Sequence, residues 1–185
     1  MFTERKFSLK QSSKCAVGGI VSALSLVLMI SVAIIPFLTY ALPAVASVLI
    51  AFVVAEIDKK WAFGVYCAVS VLAFLLVGDK EVAMMYIAFF GYYPIVKAFF
   101  ESKIPSVIGW ILKLILFNAS IAGAYVIMIK LMGITVDEID EYGIIAVPLL
   151  LGAGSVAFVM YDIALSKVFE IYKIKWRKLF KRYFK

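Results

Sequence analysis

Long apolar runs, each ended by a short polar or proline-containing break, follow one another along most of this 185-residue chain. They fall at about 15–35, 42–57, 61–78, 82–100, 107–132 and 143–165. A helix needs roughly 20 such residues to cross a bilayer. The breaks lie at Pro36/Pro43, Glu56–Lys60, Gly78–Glu81, Glu101–Ser106 and Ile134–Tyr142. This predicts an all-α membrane protein: a six-transmembrane-helix bundle preceded by a basic segment (1–14) and followed by a basic tail (166–185). The composition agrees, with 65% hydrophobic residues against about 45–50% in a soluble domain. A water-soluble enzyme or a basic nucleic-acid-binding domain is therefore excluded, despite the net charge of +7. The first run is too long for a cleaved leader, and no small-residue cleavage site with a polar start follows it.

Charge placement sets the expected orientation. With both ends inside, the inner segments hold sixteen of the 19 Lys and Arg: Arg5, Lys6, Lys10, Lys14, Lys59, Lys60, Lys97, Lys103 and eight between Lys167 and Lys185. Lys80 is the one base in the outer loops, and the last of these, Thr135–Glu141, has four acids. Such a bias predicts a multi-pass protein of the cell membrane with both termini cytoplasmic. In the tail, Val168, Tyr172, Trp176, Leu179 and Tyr183 recur at helical spacing among cations. That is an amphipathic helix suited to lying on membrane lipids, or to extending the sixth helix inward. Its role is that of a topology anchor or of a docking surface, not of a nucleic-acid site.

The chain has no histidine, which removes the commonest general base and metal ligand. Known intramembrane serine and metal-dependent proteases and phosphatidic-acid-type phosphatases need one. Tyr161–Asp162 lacks the GxGD half of an aspartyl protease site, and no Walker A loop is present. No catalytic residue, metal site or cofactor is expected, and any ATP energy must come from another subunit. Cys15 and Cys67, without CxxC spacing and in apolar surroundings, read as small buried residues.

Polar residues inside the runs are the candidates for function. Lys113, a turn and a half into the fifth run, either snorkels to the interface or pairs with an acid such as Asp162 or Glu101. Asn118 and Ser120 lie deeper, Asn118 being suited to an interhelical hydrogen bond or a ligand contact. Tyr40, Tyr86 and Tyr125 reach the outer half. The apolar Pro36–Pro43 loop is a buried turn or a cap over an outward cavity, and Gly91–Tyr92–Tyr93–Pro94 interrupts the fourth helix. On the first helix Cys15, Gly19 and Ala23 fall four apart, with Gly18 and Ser22 as a second row; such rows let helices approach closely.

In layout the chain resembles the substrate-binding S-components of energy-coupling factor (ECF) vitamin transporters. These have six helices, both ends inside, and an Ala-xxx-Ala face on the first helix, matched here by Gly19-xxx-Ala23 extended back to Cys15; Ala16-xxx-Ile20 departs from the pattern. The resemblance covers about Lys14 to Lys167. It implies capture of a small nutrient such as a vitamin by Tyr40, Tyr86, Asn118 and Tyr125, under a lid formed by Pro36, Phe37 and Pro43. It further implies docking through Cys15, Gly19 and Ala23 on a coupling membrane subunit that carries two ATPase subunits. A non-transporting scaffold of the rod-shape determining type is the other reading.

Overall fold

The computed structural model describes residues 10–132 and 143–172, and these are almost wholly helical, without strands. Helix α1 (Gln11–Ile30) runs into a 3-10 turn, Ser31–Ala33, and a second such turn, Pro36–Leu38, leads to α2 (Ala41–Glu56). Asp58 caps α3 (Lys59–Leu76) by accepting from the Lys59 N–H at 2.7 Å. Asp79 likewise caps α4 (Lys80–Met85), satisfying the N–H groups of Glu81 and Val82 at 2.9 and 3.4 Å. Such caps satisfy donors that a helix start leaves unpaired, and they fix where these helices begin. Helix α4 passes into a π-helical turn, Tyr86–Phe90, closed by the Gly91 N–H on Tyr86 O at 2.8 Å, and then into α5 (Tyr93–Lys103). Helices α6 (Ser106–Met132) and α7 (Gly143–Ile171) complete the bundle.

Among the described residues, five helical stretches are long and apolar enough to cross a membrane: 11–33, 59–76, 80–103, 107–124 and 151–171. Helix α2 has 16 residues, or about 24 Å at 1.5 Å per residue, short of a ~30 Å hydrocarbon layer. It is the central helix, packed on α1, α3, α5 and α7, and Ala46, Ile50, Ala51, Val53 and Glu56 bury several of its faces. One core joins Val17, Val21, Met29, Ile50, Val65 and Val69 across α1–α3. A second is aromatic and joins Phe89, Tyr93, Phe117, Phe158 and Phe169, with the Phe117 and Phe158 rings stacked 4.9 Å apart. Outside this core the surface is also apolar: Ile20, Val27, Val71, Leu75, Ile111, Ile115, Val156 and Met160 are all exposed. A soluble monomer seldom shows such continuous apolar cover; a multi-pass membrane protein does.

Two sequence expectations change here. Cys15 and Cys67 are both exposed rather than buried, and both are free thiols. They lie on outer faces, where lipid makes apolar neighbours as common as in the core. The tail is described only to Tyr172: α7 continues through Ser166 to Ile171, and the remainder, like the acidic loop 135–141, lies outside the described residues.

Candidate functional site

At the α5–α6 end of the bundle, three helices bring together two lysines and two carboxylates. Tyr93, Lys97 and Glu101 stand four residues apart on α5 and therefore share one face. Lys113 comes from α6, and Asp162 and Ser166, again four apart, from α7. Lys97 Nζ donates to Asp162 Oδ1, to the Asp162 carbonyl at 3.0 Å and to Ser166 Oγ at 2.8 Å. It also lies 3.1 Å from Glu101 Oε1. Lys113 Nζ sits 3.0 Å from the same Glu101 oxygen and 3.2 Å from Asp162 Oδ2. The Tyr93 hydroxyl donates to Asp162 Oδ1 at 2.5 Å.

Lys97, Lys113 and Asp162 are 1%, 5% and 2% exposed, whereas the Glu101 side chain is 25% exposed. Removing such charges from water costs several kcal/mol each unless they are paired and hydrogen-bonded. Here the formal charges cancel, and every ammonium has at least two acceptors. Lys113 additionally lies 5.2 Å from the centroid of the Trp110 ring, within cation–π range. Beside this network is a cleft of about 340 Å³, lined by the polar Glu101, Lys113, Asp162 and Ser166 and by the apolar Trp110, Phe100 and Ile104. Chemically the arrangement ties α5, α6 and α7 together and presents both signs of charge to one cavity.

Lys113 thus pairs with both acids named for it and does not snorkel. Lys97, which by its position near a break reads as a topology charge, is the most deeply buried of the four. The signal for it was the Tyr93–Lys97–Glu101 spacing.

The residues expected to hold a ligand are engaged separately. Tyr40 is 57% exposed, and its hydroxyl donates to Glu81 Oε1 at 2.6 Å. That bond, partial burial and the Glu81 charge push its pKa up to about 12. Tyr86 is fully buried, its ring 6.3 Å from that of Tyr66, and its hydroxyl has no hydrogen-bond partner among the described residues. Gly91 makes room for this pair, since a Cβ there would stand 2.5 Å from the Tyr66 ring and 2.9 Å from that of Tyr86. Asn118 donates to Leu114 O at 2.9 Å and to Ser155 Oγ at 3.3 Å, joining α6 to α7. The Tyr125 side chain lies outside the described residues. In the expected lid, Pro36 is exposed, Phe37 is 84% exposed and turned away from the bundle, and Pro43 is buried in the first turn of α2.

The two small-residue rows of α1 separate cleanly. Gly18 is buried, and a Cβ there would lie 3.2 Å from Val65 of α3. Cys15, Gly19 and Ala23 are exposed, and a Cβ on Gly19 would meet nothing within 4 Å. The inner row packs the bundle, and the outer row faces its surroundings. Comparison with known proteins finds no matching family model, no matching curated protein and no matching solved structure.

Proposed function

We propose that this chain is the substrate-capturing integral membrane subunit of an ECF-type uptake transporter for a small nutrient such as a vitamin. In this reading the short central helix α2 is the sixth span, both ends are cytoplasmic, and the chain is not an enzyme. It works with a coupling membrane subunit and ATPase subunits that supply the energy. The observation that carries the reading is the division of α1: Gly18 is used against α3, while Cys15, Gly19 and Ala23 stay open along the outside. Small residues left unused inside the bundle suit close approach of a second helix.

The test is affinity isolation of the tagged protein from its own membranes in mild detergent. A membrane subunit with ATPases should co-purify, and Gly19→Leu should remove them while the isolated bundle melts unchanged. A thermal-shift screen against vitamins and nucleobases reads the capture function, since ligand at 100 times Kd adds about 2.7 kcal/mol. Retention of partners by Gly19→Leu, or isolation without any ATPase, overturns the reading. The second reading, a non-transporting membrane scaffold, is favoured by the separate engagement of Tyr40, Tyr86 and Asn118. It expects protein partners without ATPases and no ligand response.

A further inference from the structure

The cleft beside the Lys97–Asp162–Lys113–Glu101 network has features that helix packing alone does not require. Its polar lining carries Lys113 together with Glu101 and Asp162. A purely anionic ligand there meets two carboxylates, and a purely cationic one meets the Lys113 ammonium. Displacing Glu101 to admit an anion would leave Lys113 holding only its bonds to Asp162. A ligand carrying both charges on neighbouring groups needs no displacement. Glu101 meets both lysines through Oε1, and Oε2 has no hydrogen-bond partner among the described residues. The three donors of Lys113 already meet Glu101 Oε1 and both Asp162 carboxylate oxygens, so it offers the cleft its charge and not a free N–H. The remaining capacity is thus an acceptor on Glu101 and a positive field from Lys113, side by side.

The rest of the lining is apolar, formed by Trp110, Phe100 and Ile104. On α6 it continues into Val107, Ile108 and Ile111, which are exposed on the outside of the bundle. Gly109 lines the cleft, and a Cβ there would meet nothing within 4 Å, so the absence of a side chain keeps this space open.

We propose that this cleft binds a zwitterionic head group that carries a primary ammonium and a phosphate. The ammonium donates to Glu101 Oε2, and the phosphate lies toward Lys113. When the head group belongs to a lipid, its glycerol and upper chains lie along Trp110 and the α6 stripe. A primary amine is specified because Glu101 needs a hydrogen-bond donor, which a trimethylammonium group lacks. The same chemistry exists in a free phosphoethanolamine, and the experiment separates the two sources.

The full-length protein in detergent is titrated with short-chain phosphatidylethanolamine, phosphatidylglycerol and phosphatidylcholine, and separately with O-phosphoethanolamine, while thermal stability and intrinsic Trp fluorescence are followed. Phosphatidylethanolamine should bind about tenfold or more tightly than the other two lipids, the difference one charge-assisted hydrogen bond supplies. A response to O-phosphoethanolamine alone identifies a soluble ligand at the same site, and a response to the lipid alone identifies a membrane source. Gly109→Leu fills the cleft without touching the ion network; it should leave the unliganded melting temperature equal or higher and abolish the response. Glu101→Gln should erase the preference for the primary amine. Equal binding of all three lipids, no response to any ligand, or an unaltered response in Gly109→Leu overturns the proposal.

Discussion

Replacing Asp162 by asparagine keeps the side-chain volume and one acceptor oxygen but removes the charge that two buried ammonium groups share. In the wild type Asp162 accepts from Tyr93, Lys97 and Lys113. Without its charge Lys97 and Lys113, 1% and 5% exposed, face each other with only the half-open Glu101 as counter-ion. Removing one partner of a buried pair costs about 3–5 kcal/mol. The asparagine oxygen still serves Tyr93, and polar contacts between membrane helices are individually worth only about 0.6–1.7 kcal/mol, so the lower end applies. A loss of about 3 kcal/mol is roughly a hundredfold in the folding equilibrium. Reversible unfolding in mixed detergent and SDS micelles, followed by circular dichroism and Trp fluorescence, measures it. The decisive comparison is Asp162→Asn combined with Lys113→Met, which restores neutrality with Lys97 and Glu101 alone. That double variant should recover at least half of the single variant's loss. If the two changes instead add, or if Asp162→Asn costs less than about 1 kcal/mol, the cluster is not held together by its charges and the reasoning is refuted.

Gly91→Ala should destabilise the bundle by about 1–3 kcal/mol, an overpacking penalty, because its Cβ would lie 2.5 Å from the Tyr66 ring. Loss of the 2.8 Å hydrogen bond from the Tyr66 hydroxyl to the Ile87 carbonyl should accompany it, seen as a shift of the Ile87 carbonyl stretch in isotope-edited infrared spectra. Asn118→Leu should cost no more than about 1.7 kcal/mol in the same SDS assay, since Ser155 keeps its own 2.7 Å bond to Leu151 O. Tyr40 should titrate near pH 12 by ultraviolet absorbance, and Glu81→Gln should return it toward 10. Because the folded state keeps a proton that the unfolded state releases, this contribution to stability is complete below pH 10 and lost as the pH rises toward 12.

The helical runs and their ends were legible because proline and capping aspartates are local signals, and Asp58 and Asp79 start their helices where the breaks predicted. What a membrane sequence reports well is depth: how far along a helix a residue sits from the nearest break. Tyr40, Tyr86 and Asn118 were grouped by depth and by the resemblance, yet one lies at the surface and two lie in separate packing contacts. In water, periodicity supplies this second coordinate, since polar residues mark the outer face. In lipid both faces are apolar, so Cys15 and Cys67 read as buried when they are exposed, and Gly18 and Gly19 read as equivalent when one meets Val65 and the other meets nothing. Charged residues are the exception, because burying one carries a penalty that only a partner removes. That is why pairing of Lys113 with Asp162 or Glu101 stood beside snorkelling as one of two readings of the sequence. The same argument applied to Tyr93, Lys97 and Glu101 on one face of α5 leads to the whole cluster. Direction is thus recoverable in this chain where a charge inside an apolar run must find a partner, and most clearly where polar groups repeat every four residues.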